Sequence, residues 1–190
     1  MTQTSAPAPG PADPIPSDRQ IRARPLTPGS FAPFGHVARP GLGAVRMIRD
    51  GHVRLSKSDT GFAHLPEAAE AKLDFYEVAQ EKGPLIAGTV ERHLHSAQMF
   101  SPMTAARWLV AVWPDGPEGA PLAFVAGPQD VVTYAPGVWH HGIVALDRAA
   151  CFASLMWKTG DAARDTEFRP LAAPWAILWP DAMDCTDTRA

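Results

Sequence analysis

Short apolar runs separated by turn-forming residues dominate the chain after residue 50. The run at 107–113 (RWLVAVW) is the clearest of them and predicts a buried strand. The 20 prolines and 15 glycines interrupt the pattern too often for long helices. Strand-like runs occupy residues 52–55, 73–79, 85–95, 107–113, 121–126, 131–134, 140–146 and 151–158. Short strands at this spacing predict an all-β sandwich or barrel.

The two ends of the chain differ from this pattern. Residues 1–22 are rich in Pro and Ala and have too little apolar surface to offset the entropy of ordering, so we expect a disordered tail. One domain is expected over residues 23–170, beginning with a short helical turn that Thr27 caps. A C-terminal extension follows over 171–190, and its apolar segment 174–180 is expected to dock on the barrel or on a partner subunit.

Composition and charge exclude several classes of protein. A net charge of −3 and a pI near 6.1 provide no basic surface for nucleic acid. No apolar run approaches the ~18 residues of a membrane span, and no secretory signal precedes the domain. Cys151 and Cys185 are expected to be reduced thiols of a cytoplasmic protein. The absence of glycine-rich phosphate loops, Gly-x-Ser-x-Gly elbows and paired-cysteine motifs argues against nucleotide, serine-hydrolase and zinc-finger functions.

Two histidines follow the turn at Pro136-Gly137, where a second strand is expected to begin. Adjacent residues of a strand point to opposite faces, so one of His140 and His141 faces the core. His140 shares its parity with Val144, which predicts that His140 is the inward residue.

A second polar cluster, Glu91-Arg92-His93-Leu94-His95-Ser96-Ala97-Gln98, lies upstream. On a strand, His93 and His95 would share one face, about 7 Å apart. Together with His140 they could bind a divalent metal ion, as in the His-x-His motif of cupin barrels. Neutral imidazoles could equally act as metal-free proton donors and acceptors near neutral pH. The residues leave both interpretations open, so the expected cofactor is either none or a divalent metal ion.

Other polar side chains could bind a small carboxylate substrate. Arg92 or Lys158 could hold the carboxylate, and an arginine does so with two parallel hydrogen bonds. Tyr134 could donate a hydrogen bond to developing negative charge, and Gln98 could orient the substrate.

The residues that carry these clusters resemble the bacterial ureidoglycolate lyases. The similarity runs through 91–93 (ERH), 98–103 (QMFSPM) and 134–141 (YAPGVWHH), together with the opening segment 24–37, and covers about residues 23–170. The resemblance implies a cupin-like jelly-roll β-barrel, usually dimeric, with short helical turns. It also implies cleavage of ureidoglycolate to glyoxylate and urea in purine (allantoin) catabolism. On this basis we expect proton transfer by His93, His140, His141 and Lys158, and substrate binding by Arg92, Gln98 and Tyr134.

Three segments depart from the pattern of that family. Residues 48–54 (IRDGHVR) lack the usual Asn, Leu94-His95-Ser96 replaces Pro-Leu-Gly, and Trp157-Lys158 stands where Asp-Arg is common. These changes bear on the substrate more than on the fold. Two alternatives therefore remain: a metal-dependent cupin enzyme with a different small carboxylate substrate, and a cupin that binds a small acid without turnover.

Overall fold

The computed structural model describes residues 14–181. Within this range the chain forms fourteen β-strands and two single-turn α-helices. The strands are β1 Gln20–Arg22, β2 Arg24–Pro25, β3 Gly35–Ala38, β4 Ala44–Ile48, β5 Val53–Lys57, β6 Glu70–Val78, β7 Leu85–Arg92, β8 Gln98–Pro102, β9 Trp108–Val112, β10 Leu122–Ala126, β11 Val131–Tyr134, β12 Val144–Ala145, β13 Ala150–Lys158 and β14 Glu167–Leu178. The helices are α1 Pro28–Phe31 and α2 Ala162–Asp165.

The strands form two layers around one core. One layer is a five-stranded sheet in the order β3-β11-β8-β13-β6. The other combines a three-stranded sheet, β1-β14-β7, with a four-stranded sheet, β12-β9-β10-β2. Buried side chains from both layers, including Trp108, Phe124, Val132 and Phe152, belong to one core cluster. The architecture is the expected all-β, cupin-like jelly-roll barrel, and the paired strands β4 and β5 form a separate hairpin.

Alternation along β13 shows how the pattern of the sequence produces the barrel. Phe152, Ser154 and Met156 are buried, whereas the residues between them are half-exposed. In contrast, β9 is buried at all five positions. A second apolar cluster, which includes Leu109, Trp175 and Ile177, packs on the outer face of β9 and buries that face as well.

The domain extends beyond the expected bounds at both ends. Strand β1 lies inside the segment 1–22 and pairs in parallel with β14 from Gln20 to Arg22. Strand β14 crosses the expected boundary at residue 170 and pairs with both β7 and β1. Backbone pairing thus includes residues 20–22 and 171–178 in the sheets, outside the predicted bounds of 23 and 170. Residues 1–13 and 182–190, including Cys185, lie outside the described residues.

Two local predictions have different outcomes. Thr27 caps α1 as expected: its hydroxyl accepts a hydrogen bond from the Ser30 amide, and the Ser30 side chain completes a capping box. The strand expected over 85–95 ends at Arg92 instead, so His93 and His95 do not share a strand face. No helix among residues 14–181 is long and apolar enough to span a membrane.

Candidate active site

His140 lies in a short segment that fills the gap between β7 and β9. Its amide donates to the Glu91 carbonyl and its carbonyl accepts from the Glu91 amide, both at 2.8 Å. On the other side, the Trp113 amide donates to the Trp139 carbonyl at 2.9 Å. His140 is fully buried, which confirms the inward orientation predicted from its parity.

His93 is held by backbone groups from two different segments. Its Nδ1 atom lies 2.8 Å from the Asp165 carbonyl oxygen at the end of α2. Its own carbonyl accepts a hydrogen bond from the Gly137 amide at 2.8 Å, which joins His93 to the turn before His140. Asp165 is itself fixed, because its buried carboxylate accepts from the amide and hydroxyl of Thr159 at 2.7 and 2.8 Å.

The two imidazoles meet at the side chain of Gln98. The Oε1 atom of Gln98 lies 3.0 Å from Nε2 of His93 and 3.2 Å from Nε2 of His140. Nδ1 of His140 lies 2.9 Å from the Val138 carbonyl oxygen. Both nitrogens of each ring thus face acceptor oxygens, since a carbonyl only accepts. The shorter contacts, at Nδ1, favour the tautomer with its proton on Nδ1, which leaves the Nε2 lone pair directed at the Gln98 side chain. Glu91 adds a carboxylate oxygen 3.5 Å from Nε2 of His140.

A carboxylate and two imidazoles that converge on one point are a common ligand set for a divalent metal ion. Glu91, His93 and His140 each offer one ligand atom, and these atoms lie within 4.8 Å of one another. The backbone carbonyls on both Nδ1 atoms are the partners that typically orient histidine ligands. The residues therefore fit a divalent cation, with the Gln98 oxygen as a neighbouring fourth acceptor.

His95 lies apart from this cluster. Its Nδ1 atom is 3.2 Å from a carboxylate oxygen of Glu67. The predicted metal set of His93, His95 and His140 is thus not brought together, because β7 ends before His93 and the alternation of a strand no longer applies. Glu91, still within β7, takes the third position.

The charge states of the cluster suit a cation. Burial alone would raise the pKa of Glu91, but the hydrogen bond and charge of His140, with the charges of His93 and His141, lower it. Burial and the neighbouring His140 lower the pKa of His93. At neutral pH the cluster thus combines a carboxylate with a neutral His93 ring.

Tyr134 forms the floor beneath His140. Its ring stacks on the His140 ring with the centroids 4.1 Å apart and the planes 13° from parallel. The Phe31 ring contacts the Tyr134 ring edge-on, with the centroids 5.7 Å apart. Burial and the charge of Glu91 raise the pKa of Tyr134, so the phenol keeps its proton.

Three further predicted site residues contact partners outside the cluster. His141 is half-buried, its Nδ1 lies 3.0 Å from the Gly142 carbonyl oxygen, and burial lowers its pKa. The Arg92 guanidinium forms two contacts with Glu167, at 2.7 and 2.8 Å, and lies over the Trp139 ring at 4.4 Å. Lys158 donates to Asp74 at 2.9 Å.

Comparison with known proteins identifies the family of the chain. A family model described as Ureidoglycolate lyase matches residues 18–177. The chain belongs to the ureidoglycolate lyase family. It is 32% identical to the ureidoglycolate lyase of Rhizobium etli over 131 residues, which cover 68% of this chain and 79% of that protein. It is 33% identical to the ureidoglycolate lyase of Pseudomonas syringae pv. tomato over 137 residues, which cover 68% and 78%.

Two solved structures show a more distant similarity. One is a dTDP sugar isomerase from Desulfovibrio desulfuricans, with 18% identity, a TM-score of 0.46, and coverage of 74% of this chain and 88% of that one. The other is a dTDP-6-deoxy-D-glucose-3,5-epimerase from Legionella pneumophila, with 12% identity, a TM-score of 0.41, and coverage of 68% and 69%.

The structure also adds residues that the sequence pattern did not single out for this member of the ureidoglycolate lyase family. Glu91 was visible beside His93, but only its distance to His140 makes it a candidate ligand. No sequence pattern identifies Asp165, because its role depends on a contact between its backbone carbonyl and His93, which is 72 residues away in the sequence.

Proposed function

We propose that this protein is a carbon–nitrogen lyase that cleaves ureidoglycolate to glyoxylate and urea in purine (allantoin) catabolism. The convergence of Glu91, His93, Gln98 and His140 on one point carries this proposal. Family membership supports the identity of the substrate.

The reaction needs proton transfer and orientation rather than water as a reactant. The hydroxyl of the carbinol carbon loses a proton, the C–N bond breaks, and the departing nitrogen gains a proton. Glu91 and the imidazoles present the acceptor atoms that the first step requires. The stacked Tyr134 ring and the carbonyls of Val138 and Asp165 hold those imidazoles in place.

We further propose that Glu91, His93 and His140 hold a divalent metal ion, with Gln98 contributing its amide oxygen. Such an ion supplies Lewis acidity to the oxygens of a bound hydroxy acid. His95 is outside this ligand set because it pairs with Glu67. Binding of the substrate carboxylate by Arg92 stays a prediction, and it requires exchange of the present partner Glu167.

Racemic ureidoglycolate tests the proposal directly. Purified protein is expected to release glyoxylate, and a chelator is expected to stop the release if the metal is required. Release of glyoxylate that continues unchanged in chelator would support the lyase activity and contradict a requirement for the metal ion. Binding without any release would instead favour the non-catalytic small-acid-binding cupin.

Two histidine variants form a matched pair for this assay. His140→Asn is expected to reduce turnover by about 10²–10⁴-fold, the usual contribution of an acid–base group, while the circular-dichroism spectrum stays unchanged. His95→Leu is expected to retain turnover within a few-fold, since His95 lies beside Glu67. Equal losses in both variants would contradict the assignment of the site.

We also infer that the protein is a cytoplasmic homodimer. Leu73 and Phe75 alternate on the outer face of the edge strand β6 and are 58% and 65% exposed. A second copy that covers this face would remove apolar surface from water. Light scattering is expected to give twice the 20.4 kDa chain mass, and Phe75→Glu to lower it.

A further inference from the structure

A second set of polar side chains lies on the inner face of the five-stranded sheet. Asp74 and Tyr76 of β6 are paired with the buried residues Ser154 and Phe152 of β13. Because directly paired residues of a sheet share a face, Asp74 and Tyr76 lie on the same face as these buried residues, at the edge of the sheet where Tyr76 stays 39% exposed. Lys158 lies two residues beyond the buried Met156 and has the same parity. We call Asp74, Tyr76 and Lys158 the edge triad.

Aromatic ring contacts connect the edge triad to the candidate site. The Tyr76 ring contacts Phe100 edge-on at 5.8 Å, and Phe100 in turn contacts Tyr134 at 6.2 Å. Burial, together with the charge of Asp74 and a smaller contribution from Glu91, raises the pKa of Tyr76.

Lys158 is tied to the other end of the site. The next residue, Thr159, donates its amide and its hydroxyl to Asp165, whose carbonyl oxygen contacts His93. The Lys158 ammonium donates to Asp74 at 2.9 Å, and its side chain stays 31% exposed. An ammonium has three N–H donors, so this ion pair uses only part of its capacity.

The composition of the edge triad matches a neutral polar group better than an anion. The charges of Lys158 and Asp74 offset each other, and the triad offers N–H and O–H donors beside a carboxylate acceptor. A ureido group has the complementary set, a carbonyl oxygen and N–H donors. A carboxylate has no N–H for Asp74 and would be repelled by it.

We propose that the edge triad binds the ureido group of the substrate. Lys158 and Tyr76 donate hydrogen bonds to the ureido oxygen, and the carboxylate of Asp74, which also orients Lys158, accepts one from a ureido N–H. This inference rests on the proposed function for the identity of the substrate. When the C–N bond breaks, its electron pair moves to the ureido nitrogen and the charge spreads onto the ureido oxygen, which the triad faces. The proton lost by the hydroxyl balances the one gained by nitrogen, so glyoxylate and urea form without water or an oxidant.

Two ligands separate the ureido end from the hydroxy-acid end of the substrate. N-carbamoylglycine has the ureido group and the carboxylate but no hydroxyl, whereas glycolate has the hydroxyl and carboxylate but no ureido group. Calorimetric titration measures both affinities without turnover. Asp74→Asn and Tyr76→Phe are each expected to weaken the binding of N-carbamoylglycine about tenfold, which is the effect of one lost polar contact. Each is expected to change the affinity for glycolate less than twofold.

Two further variants control for structural effects. Asp74→Glu keeps the carboxylate and is expected to recover part of the lost affinity. Glu77→Gln removes a charge from the exposed side of the same strand and is expected to leave the affinity for both ligands unchanged. Equal weakening of both ligands, unchanged N-carbamoylglycine affinity, or no N-carbamoylglycine binding by the parent protein would overturn the inference.

The outcome also separates this inference from the proposed function. A parent protein that binds N-carbamoylglycine through the triad but releases no glyoxylate from ureidoglycolate would support the triad and refute the lyase. A parent protein that cleaves ureidoglycolate, with triad variants that bind N-carbamoylglycine normally, would support the lyase and refute the role of the triad.

Discussion

Replacing Asp165 with alanine removes a buried carboxylate that never contacts the candidate ligands directly. Its Oδ1 atom accepts hydrogen bonds from the amide and the hydroxyl of Thr159, and its backbone carbonyl contacts His93. Hydrogen bonds to a charged group contribute about 1.5–3 kcal/mol each. Water can reach the Thr159 hydroxyl once the carboxylate is gone, so we expect a total loss of about 2–4 kcal/mol in the free energy of unfolding.

The same substitution is expected to disturb His93. The carbonyl of residue 165 is held in place by the turn that Asp165 and Thr159 close, and it orients the protonated Nδ1 of His93. Loss of such a partner typically costs 10–100-fold in metal affinity or activity. Urea titration measures the stability, and glyoxylate release from ureidoglycolate measures the activity, at a urea concentration where both proteins are folded.

A matched control lies on the same turn. Asp161 caps α2 by accepting from the Ala163 amide at 3.0 Å in an exposed position, and Asp161→Ala is expected to cost about 1 kcal/mol. Turnover should stay within about twofold of the parent protein, since no described contact joins its side chain to His93. Full activity in Asp165→Ala, or equal loss of activity in both variants, would refute the reasoning that orientation passes through the Asp165 carbonyl.

Three further predictions concern other parts of the molecule. Gln98→Glu is expected to raise affinity for a divalent ion at least tenfold and to lower the stability of the metal-free protein, as judged by calorimetry and urea titration, because it adds a second carboxylate beside Glu91. The hydrogen bond from Arg107 lowers the pKa of Asp147 below its ordinary value of 3.8. The Arg107–Asp147 pair therefore stabilises the folded protein above pH 3.8, and this stabilisation is lost as the pH falls through the lowered pKa of the folded state. The Asp147→Asn variant should therefore unfold with a free energy about 1 kcal/mol lower than the parent protein at pH 7. The difference should disappear below the lowered pKa of Asp147, as measured by urea titration at a series of acidic pH values. A chain that starts at Ala23 lacks β1 and should unfold at lower urea than one that starts at Ser17; equal midpoints would contradict a structural role for β1.

Local features of the sequence determined much of the fold and singled out His93, Gln98, Tyr134 and His140, which lie together in the structure. The short apolar runs and frequent prolines predicted an all-β barrel, since a strand needs only a few residues of suitable pattern. Thr27 capped its helix as expected, because the cap and its partner Ser30 are three positions apart. His140 faces inward as its parity predicted, and the family resemblance through residues 91–93 and 134–141 indicated the correct family.

Tertiary structure alone decided which residues meet. Alternation along a strand predicted His95 as a ligand, but β7 ends at Arg92 and the chain then turns, so Glu91 takes that position. The Gln98 oxygen contacts the imidazole of His140 across 42 positions of sequence as well as that of the nearby His93, and Asp165 orients His93 across 72 positions. Likewise, β1 and β14 became part of the barrel through backbone pairing with each other and with β7. Periodicity records the face that a residue presents, whereas these contacts depend on where distant strands end and pair, which no local pattern encodes.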